Sequence, residues 1–230
     1  MATPLSEFTT RLYETWLPSF CDAEHRQFDS QGFKPESLSK LSEYDAEWFL
    51  RAVDLGLVKE SDGYFSAPMS KAKEQIFWEG HKSKIPRNIT LWVEPVITVG
   101  AIARLNEQFG WPIERLGMQS STWAFDLVGF GEDLKSEIIV CEVKKQPSEI
   151  RDLLRYMHLF CSVEPRKEEP TNGKEKNAYR KVQGIRNSWP QIFWALGPGN
   201  HSFVFKIERD PESATFALHE VTDGALKLAW

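Results

Sequence analysis

The sequence predicts an α/β protein of the α+β kind, with a mixed central sheet flanked by helices and preceded by a smaller, mainly helical unit. Three observations carry that expectation. Two apolar runs of strand length lie at 123–130 and 138–145, a helix-like run from Glu94 to Gly110 precedes them, and apolar residues recur at helix spacing between Leu38 and Val53.

In chain order, Leu38, Leu41, Tyr44, Trp48, Phe49, Ala52 and Val53 repeat at helix spacing, and Ser42 with Asp45 forms a helix-start box. Residues 56–66 read as two short strands around an Asp62-Gly63 turn. A helix followed by such a hairpin resembles the end of a winged-helix domain. A helix from Lys71 to about Gly80 and a linker at 82–88 would close this unit, dividing the chain into 1–85 and 86–230. The second part opens with the Glu94–Gly110 helix, where Pro95 suits the first turn and Gly110 the residue just past the end. Residues 111–119 read as a first strand and 123–130 as a second. The short polar connector 131–136 then makes 138–145 an adjacent antiparallel partner. Helices are expected at 147–157 and 176–187, a charged loop between them, and closing strands at 202–208 and 215–221.

Composition narrows the classes. At 230 residues, with 41 % hydrophobic content and nine tryptophans, the chain has ample material for a core. The first residues lack a signal-peptide pattern, no run approaches a membrane span, and three cysteines form no paired framework. A cytoplasmic protein with no membrane partner is the expectation. The net charge of −5 argues against a broadly basic nucleic-acid coat. Charge is unevenly spread, however: residues 1–143 carry 14 basic and 22 acidic side chains, whereas 144–186 carry 11 and 6. Arg151, Arg155, Arg166, Lys167, Lys174, Lys176, Arg180, Lys181 and Arg186 could line a phosphate-binding rim or simply form solvated faces.

The chemistry sits in Asp126 and Glu142-Val143-Lys144. Residues i and i+2 of a strand share a face, so Glu142 and Lys144 project together while Cys141 and Val143 point the other way. Two carboxylates with open positions between them suit Mg²⁺, and a nearby ammonium can orient a water. This Glu-x-Lys is the only one in the chain, and the one Asp-x-Lys, at 133–135, lies in a turn. An edge strand ending in a solvated Glu/Lys pair is the plain alternative. His158 and Cys161 lack zinc-spaced partners, the glycine pairs lack a phosphate-loop lysine, and no serine sits in a nucleophile elbow.

Helix, strand, Asp-strand, turn and Glu-x-Lys strand, over about residues 88–162, resemble the PD-(D/E)xK phosphodiesterase superfamily of restriction endonucleases and Holliday-junction resolvases. The proline of its name is absent, since Phe125 precedes Asp126. The resemblance implies a restriction-endonuclease-like core and a metal-dependent endonuclease that hydrolyses DNA phosphodiesters. Asp126, Glu142 and the Val143 carbonyl would hold Mg²⁺ or Mn²⁺, Lys144 would position water, and Lys145 would touch a phosphate. Glu94, favoured over Glu107, would be a third acid, with Gln119, Arg151 and Arg155 as further nucleic-acid contacts. A homodimer is the implied assembly for a double-strand cutter. The alternative is a catalytically inactive nucleic-acid- or protein-binding regulatory protein on the same fold.

Overall fold

The computed structural model describes residues 2–228. Thr3 caps α1 (Pro4–Arg11) by accepting from the Ser6 N–H, and Pro4 fills a position where no donor is needed. Pro18 has no N–H to offer the preceding turn, and the chain widens through a π turn at Leu12–Trp16 before α2 (Leu17–Asp22). α3 (Glu43–Asp54) starts at Ser42, whose Oγ accepts from the Asp45 N–H at 3.1 Å and donates to Asp45 Oδ2 at 2.6 Å. The expected start box is therefore present. So is the hairpin of β1 (Lys59–Ser61) and β2 (Tyr64–Ser66), turned by Asp62 at φ 55° and Gly63 at φ 76°.

The helix expected from Lys71 to Gly80 does not form. β3 (Glu74–Gln75) adds to β2, and β4 (Phe77–Glu79) pairs with β5 (Ile89–Leu91). The reason is tertiary: Phe77 packs 4.8 Å from the Phe20 ring and 6.2 Å from Phe33, a burial that only the extended backbone delivers here. α4 (Val93–Ala103) follows as expected, with Pro95 in its first turn, a π turn at Arg104–Gln108, and Gly110 at φ 75° just beyond.

The remaining elements are β6 (Leu116–Met118), β7 (Leu127–Phe130), β8 (Glu137–Val143), α5 (Pro147–Cys161), α6 (Gly173–Ser188), β9 (Ile192–Gly197), β10 (His201–Arg209) and β11 (Phe216–Val221). β6 is shorter than the 111–119 expected, because Ile113–Arg115 turns as a 3₁₀ helix. The six strands form one mixed sheet in the order β11-β10-β9-β8-β7-β6, with β8 and β9 parallel and every other pair antiparallel. The α5–α6 crossover is what allows the parallel pair. β9 was not expected from the sequence. All six of its residues are buried, so Ile-Phe-Trp-Ala-Leu-Gly shows no alternation.

Each sheet face has its own cover. Leu127, Ile139, Cys141, Val143, Trp194 and Leu196 pack into a core shared with α4 and the N-terminal elements. Val128, Val140, Phe193 and Ala195 pack beneath α5 and α6. Among the described residues, no helix is long and apolar enough to cross a membrane.

The expected boundary at 85/86 meets no gap in the packing. One buried cluster runs from Phe8 to Leu226, and the β4–β5 pairing spans the boundary. α4 is apolar on nearly all sides, as suits a helix covered all round, and α3 lies so close that a Cβ on Gly100 would stand 3.1 Å from Trp48 Cβ. A fragment spanning 86–230 is therefore expected to lose its near-UV circular dichroism and bind an apolar dye. A soluble fragment with a cooperative melt would instead establish two independent domains.

Candidate active site

Asp126 lies one residue ahead of β7, at the mouth of a loop that its own polar groups build. Ser120 Oγ accepts from the Ala124 and Phe125 N–H groups at 3.1 Å each, and Glu137 Oε1 accepts from the Ser121 N–H and Oγ at 2.7 Å each. The loop closes through Gln119 N–H to the Asp126 carbonyl at 2.8 Å, with Gln119 at φ 62°. Leu127 pairs with Cys141 and Val128 with Val140, so one more step sets Asp126 opposite Glu142. Asp126 Oδ2 accepts from the Val143 N–H at 2.8 Å.

Glu142 is 2 % exposed and carries an ammonium on each oxygen: Lys144 Nζ at 2.5 Å from Oε1 and Lys181 Nζ at 2.5 Å from Oε2. Cys141 and Val143 point into the opposite core, as strand alternation requires. Lys181 also donates to the Ala124 carbonyl, tying α6 to the Asp126 loop. The sequence offers Lys181 as part of a phosphate-binding rim or of a solvated face, and the structure buries it instead. Its signal was legible, because Lys181 sits on the stripe Ala178, Val182, Ile185 that α6 buries, and a lysine on a buried stripe requires a partner.

Burial first, and then the Glu142 charge, push the Asp126 carboxyl up to about 8, although both lysines pull it down. Burial alone would lower the Lys144 ammonium, but Glu142, Asp126 and Glu94 hold it above its ordinary value. A further acid with a raised pKa escaped the sequence reading altogether. Glu74, in the segment expected to be helical, is pushed up to about 7 by burial and by Glu94, while a 3.3 Å hydrogen bond from Gln119 works against the shift.

Glu94 lines one pocket with Lys144, Glu149, Asp152 and Lys174. Its Oε1 accepts from the Lys145 N–H at 3.2 Å and its Oε2 from Trp92 Nε1 at 3.1 Å. α4 covers the Cys141/Val143 face of the sheet, and its first turn meets the end of β8. Glu107 is held elsewhere, by Arg51 Nε at 2.5 Å and Nη2 at 2.8 Å. Gln119 faces Glu74, and Lys145 lies exposed beside Glu94. Arg151 and Arg155 lie on the exposed side of α5, Arg155 pairs with Asp152 at 3.3 Å, and neither touches the carboxylates. The basic rim is largely answered internally: Lys174 meets Asp152, Lys176 and Arg180 meet Glu169, and Arg186 donates to main-chain carbonyls. Exposed pairs of this sort are weak enough for phosphate to displace.

Among the described residues, no group of three or more His, Cys, Asp or Glu side chains could hold a metal ion. The donor set is Asp126, Glu142 and the Val143 carbonyl, all hard oxygens, and Mg²⁺ needs no more than one or two carboxylates because it keeps its waters. On that chemistry the residues fit a divalent cation. No protein-family model, curated protein or solved structure matches the chain.

A carboxyl whose folded pKa is raised binds more protons folded than unfolded, so its contribution to stability falls as pH rises from 3.8 to about 8. Without metal, Asp126→Asn keeps an acceptor for the Val143 N–H and removes this loss. Its melting temperature should exceed that of the wild type at pH 8, by about 2–4 °C per kcal/mol of repulsion relieved. The difference should shrink or reverse at pH 5. Thermal melts with a chelator across this range check it, and a gap independent of pH would refute the assignment.

Proposed function

We propose that this chain is a metal-dependent nuclease of the PD-(D/E)xK type, hydrolysing nucleic-acid phosphodiesters, with DNA as the first substrate to test. One observation carries the reading: Asp126, Glu142 and Lys144 meet at the ends of two adjacent antiparallel strands, with Lys144 Nζ 2.5 Å from Glu142 and Val143 N–H 2.8 Å from Asp126. The order α4, β6, β7, β8 agrees with the motif order on which the resemblance rests. A location in the cytoplasm belongs to the same proposal.

Asp126 and Glu142 would hold Mg²⁺ or Mn²⁺ with the Val143 carbonyl, and the cation when bound supplies charge to the phosphoryl oxygens and acidity to water. Lys144, kept protonated by the surrounding carboxylates, offsets negative charge as it grows on the phosphorane. Lys181 holds Glu142 in place from α6 and keeps the Asp126 loop against the strand. Lys145 offers its ammonium to a neighbouring phosphate.

A specific observation favours a second reading, a catalytically inactive nucleic-acid- or protein-binding platform. Both oxygens of Glu142 are already neutralised by lysines, so the site is charge-compensated by the chain itself. Cleavage decides between them. Lys144→Ala should lower the rate by about 10²–10³ with little change in binding, because its charge acts mainly in the transition state. Single-stranded, duplex and branched DNA, and RNA, would be offered with Mg²⁺ and with Mn²⁺. A wild type that cuts none of them leaves the platform reading in place.

Metal binding has its own readout. Mn²⁺ at about 100 times its dissociation constant should stabilise the fold by about 2.7 kcal/mol. Asp126→Asn/Glu142→Gln should abolish the response. Calorimetry showing equal Mn²⁺ binding by both proteins would remove the metal centre.

A further inference from the structure

Beside Glu94 the two-stranded ribbon β4–β5 turns aromatic surface to solvent. Trp78 is 52 % exposed and Trp92 41 %, whereas Phe77, Ile89 and Leu91 are buried beneath them. The register explains the division. Trp78 pairs with Thr90, and Trp92 follows Thr90 by two residues, so Trp78, Thr90 and Trp92 share the outward face. The Trp92 N–H also continues the pairing, donating to the Ile76 carbonyl at 2.7 Å. Both rings line an open groove of about 700 Å³ together with Thr90, Glu94 and the exposed Lys40 and Lys145.

The geometry points to a stacking platform for the unpaired bases of a single-stranded nucleic acid, which leads that strand past Glu94 to Lys144. This rests on reading the Asp126/Glu142/Lys144 cluster as the nuclease site, and it names the substrate class. Aromatic faces accept any base, but only one that has left a duplex stack, and lysines along the groove match the phosphates between successive bases. Charge complementarity selects this occupant. The chain as a whole is acidic at −5, yet Lys40 and Lys145 stand at the aromatic pair. The groove is also continuous with the site through one carboxylate, since Glu94 accepts from Trp92 Nε1 at 3.1 Å and from the Lys145 N–H at 3.2 Å. A base stacked on Trp92 would therefore lie next to the end of β8.

The test reads binding to the full chain with EDTA present, so that no cleavage intervenes. The probe is a labelled oligothymidylate of about twelve nucleotides, within the usual range for such grooves. It should quench tryptophan fluorescence, and Trp78→Ala and Trp92→Ala should each weaken binding by about tenfold, with Trp78→Phe restoring most of it. Lys40→Ala should reduce the slope of log affinity against log salt by about 0.7. A blunt duplex and an abasic oligomer of the same length should bind more weakly and respond to neither tryptophan change. Trp78 touches no catalytic group, so it decides the matter if Trp92→Ala melts early. The platform is overturned if Trp78→Ala binds oligothymidylate as the wild type does, or if the abasic oligomer binds equally well. It is also overturned if the substitution instead abolishes self-association in light scattering, which would make a second copy the occupant. Absence of cleavage on every substrate would sink the nuclease reading and leave this binding result standing. Binding indifferent to both tryptophans would do the reverse.

Discussion

The Glu142 carboxylate is the constraint on which the end of the sheet depends. It is buried next to the end of β8, opposite a second carboxylate, and it is tolerable there only because two ammonium groups reach it. One comes from the residue just past its own strand and the other from α6, on the far side of a crossover. Lys181 therefore holds α6 to β8, and through the Ala124 carbonyl it holds the loop that presents Asp126. A buried charge network of this kind loses more from deletion of one member than it gains from its formation. Its geometry is accordingly well defined.

α4 supplies the second constraint. It lies between α3 and the sheet with almost every residue covered, which binds the N-terminal elements and the strands into one core. Its first turn then has two neighbours. Glu94 meets the end of β8 at Lys145, and Trp92 joins the β4–β5 ribbon to the same carboxylate. The β4–β5 ribbon, which stands where a helix was expected, is thus the element that brings aromatic surface to Glu94.

Much of the chain was legible from local pattern. Ser42 with Asp45, the Asp62-Gly63 turn, Pro95 and Gly110 each act through their own backbone, so their meaning does not depend on what packs against them. Alternation along 138–145 correctly separated Glu142 and Lys144 from Cys141 and Val143, and the short connector correctly paired this strand with its neighbour. β9 was not legible in the same way, because a strand covered on both faces has no period to read.

Local pattern gave the α+β class, the 59–66 hairpin and the adjacent strands β7 and β8, beside whose ends Asp126 and Glu142 stand, because hydrophobic period and turn chemistry are properties of neighbouring residues. Tertiary structure alone decided the rest. Lys181 reaches Glu142 from 39 positions away, Glu74 faces Gln119 across 45, and residues 74–79 became strands because Phe77 found Phe20 and Phe33. Glu94 and Glu107 were alike as acids on one helix. They were told apart only when one met the Lys145 N–H and the other met Arg51. The physical reason is common to all of these: a buried charge or ring takes the conformation its distant partners allow, and local pattern carries no record of who those partners are.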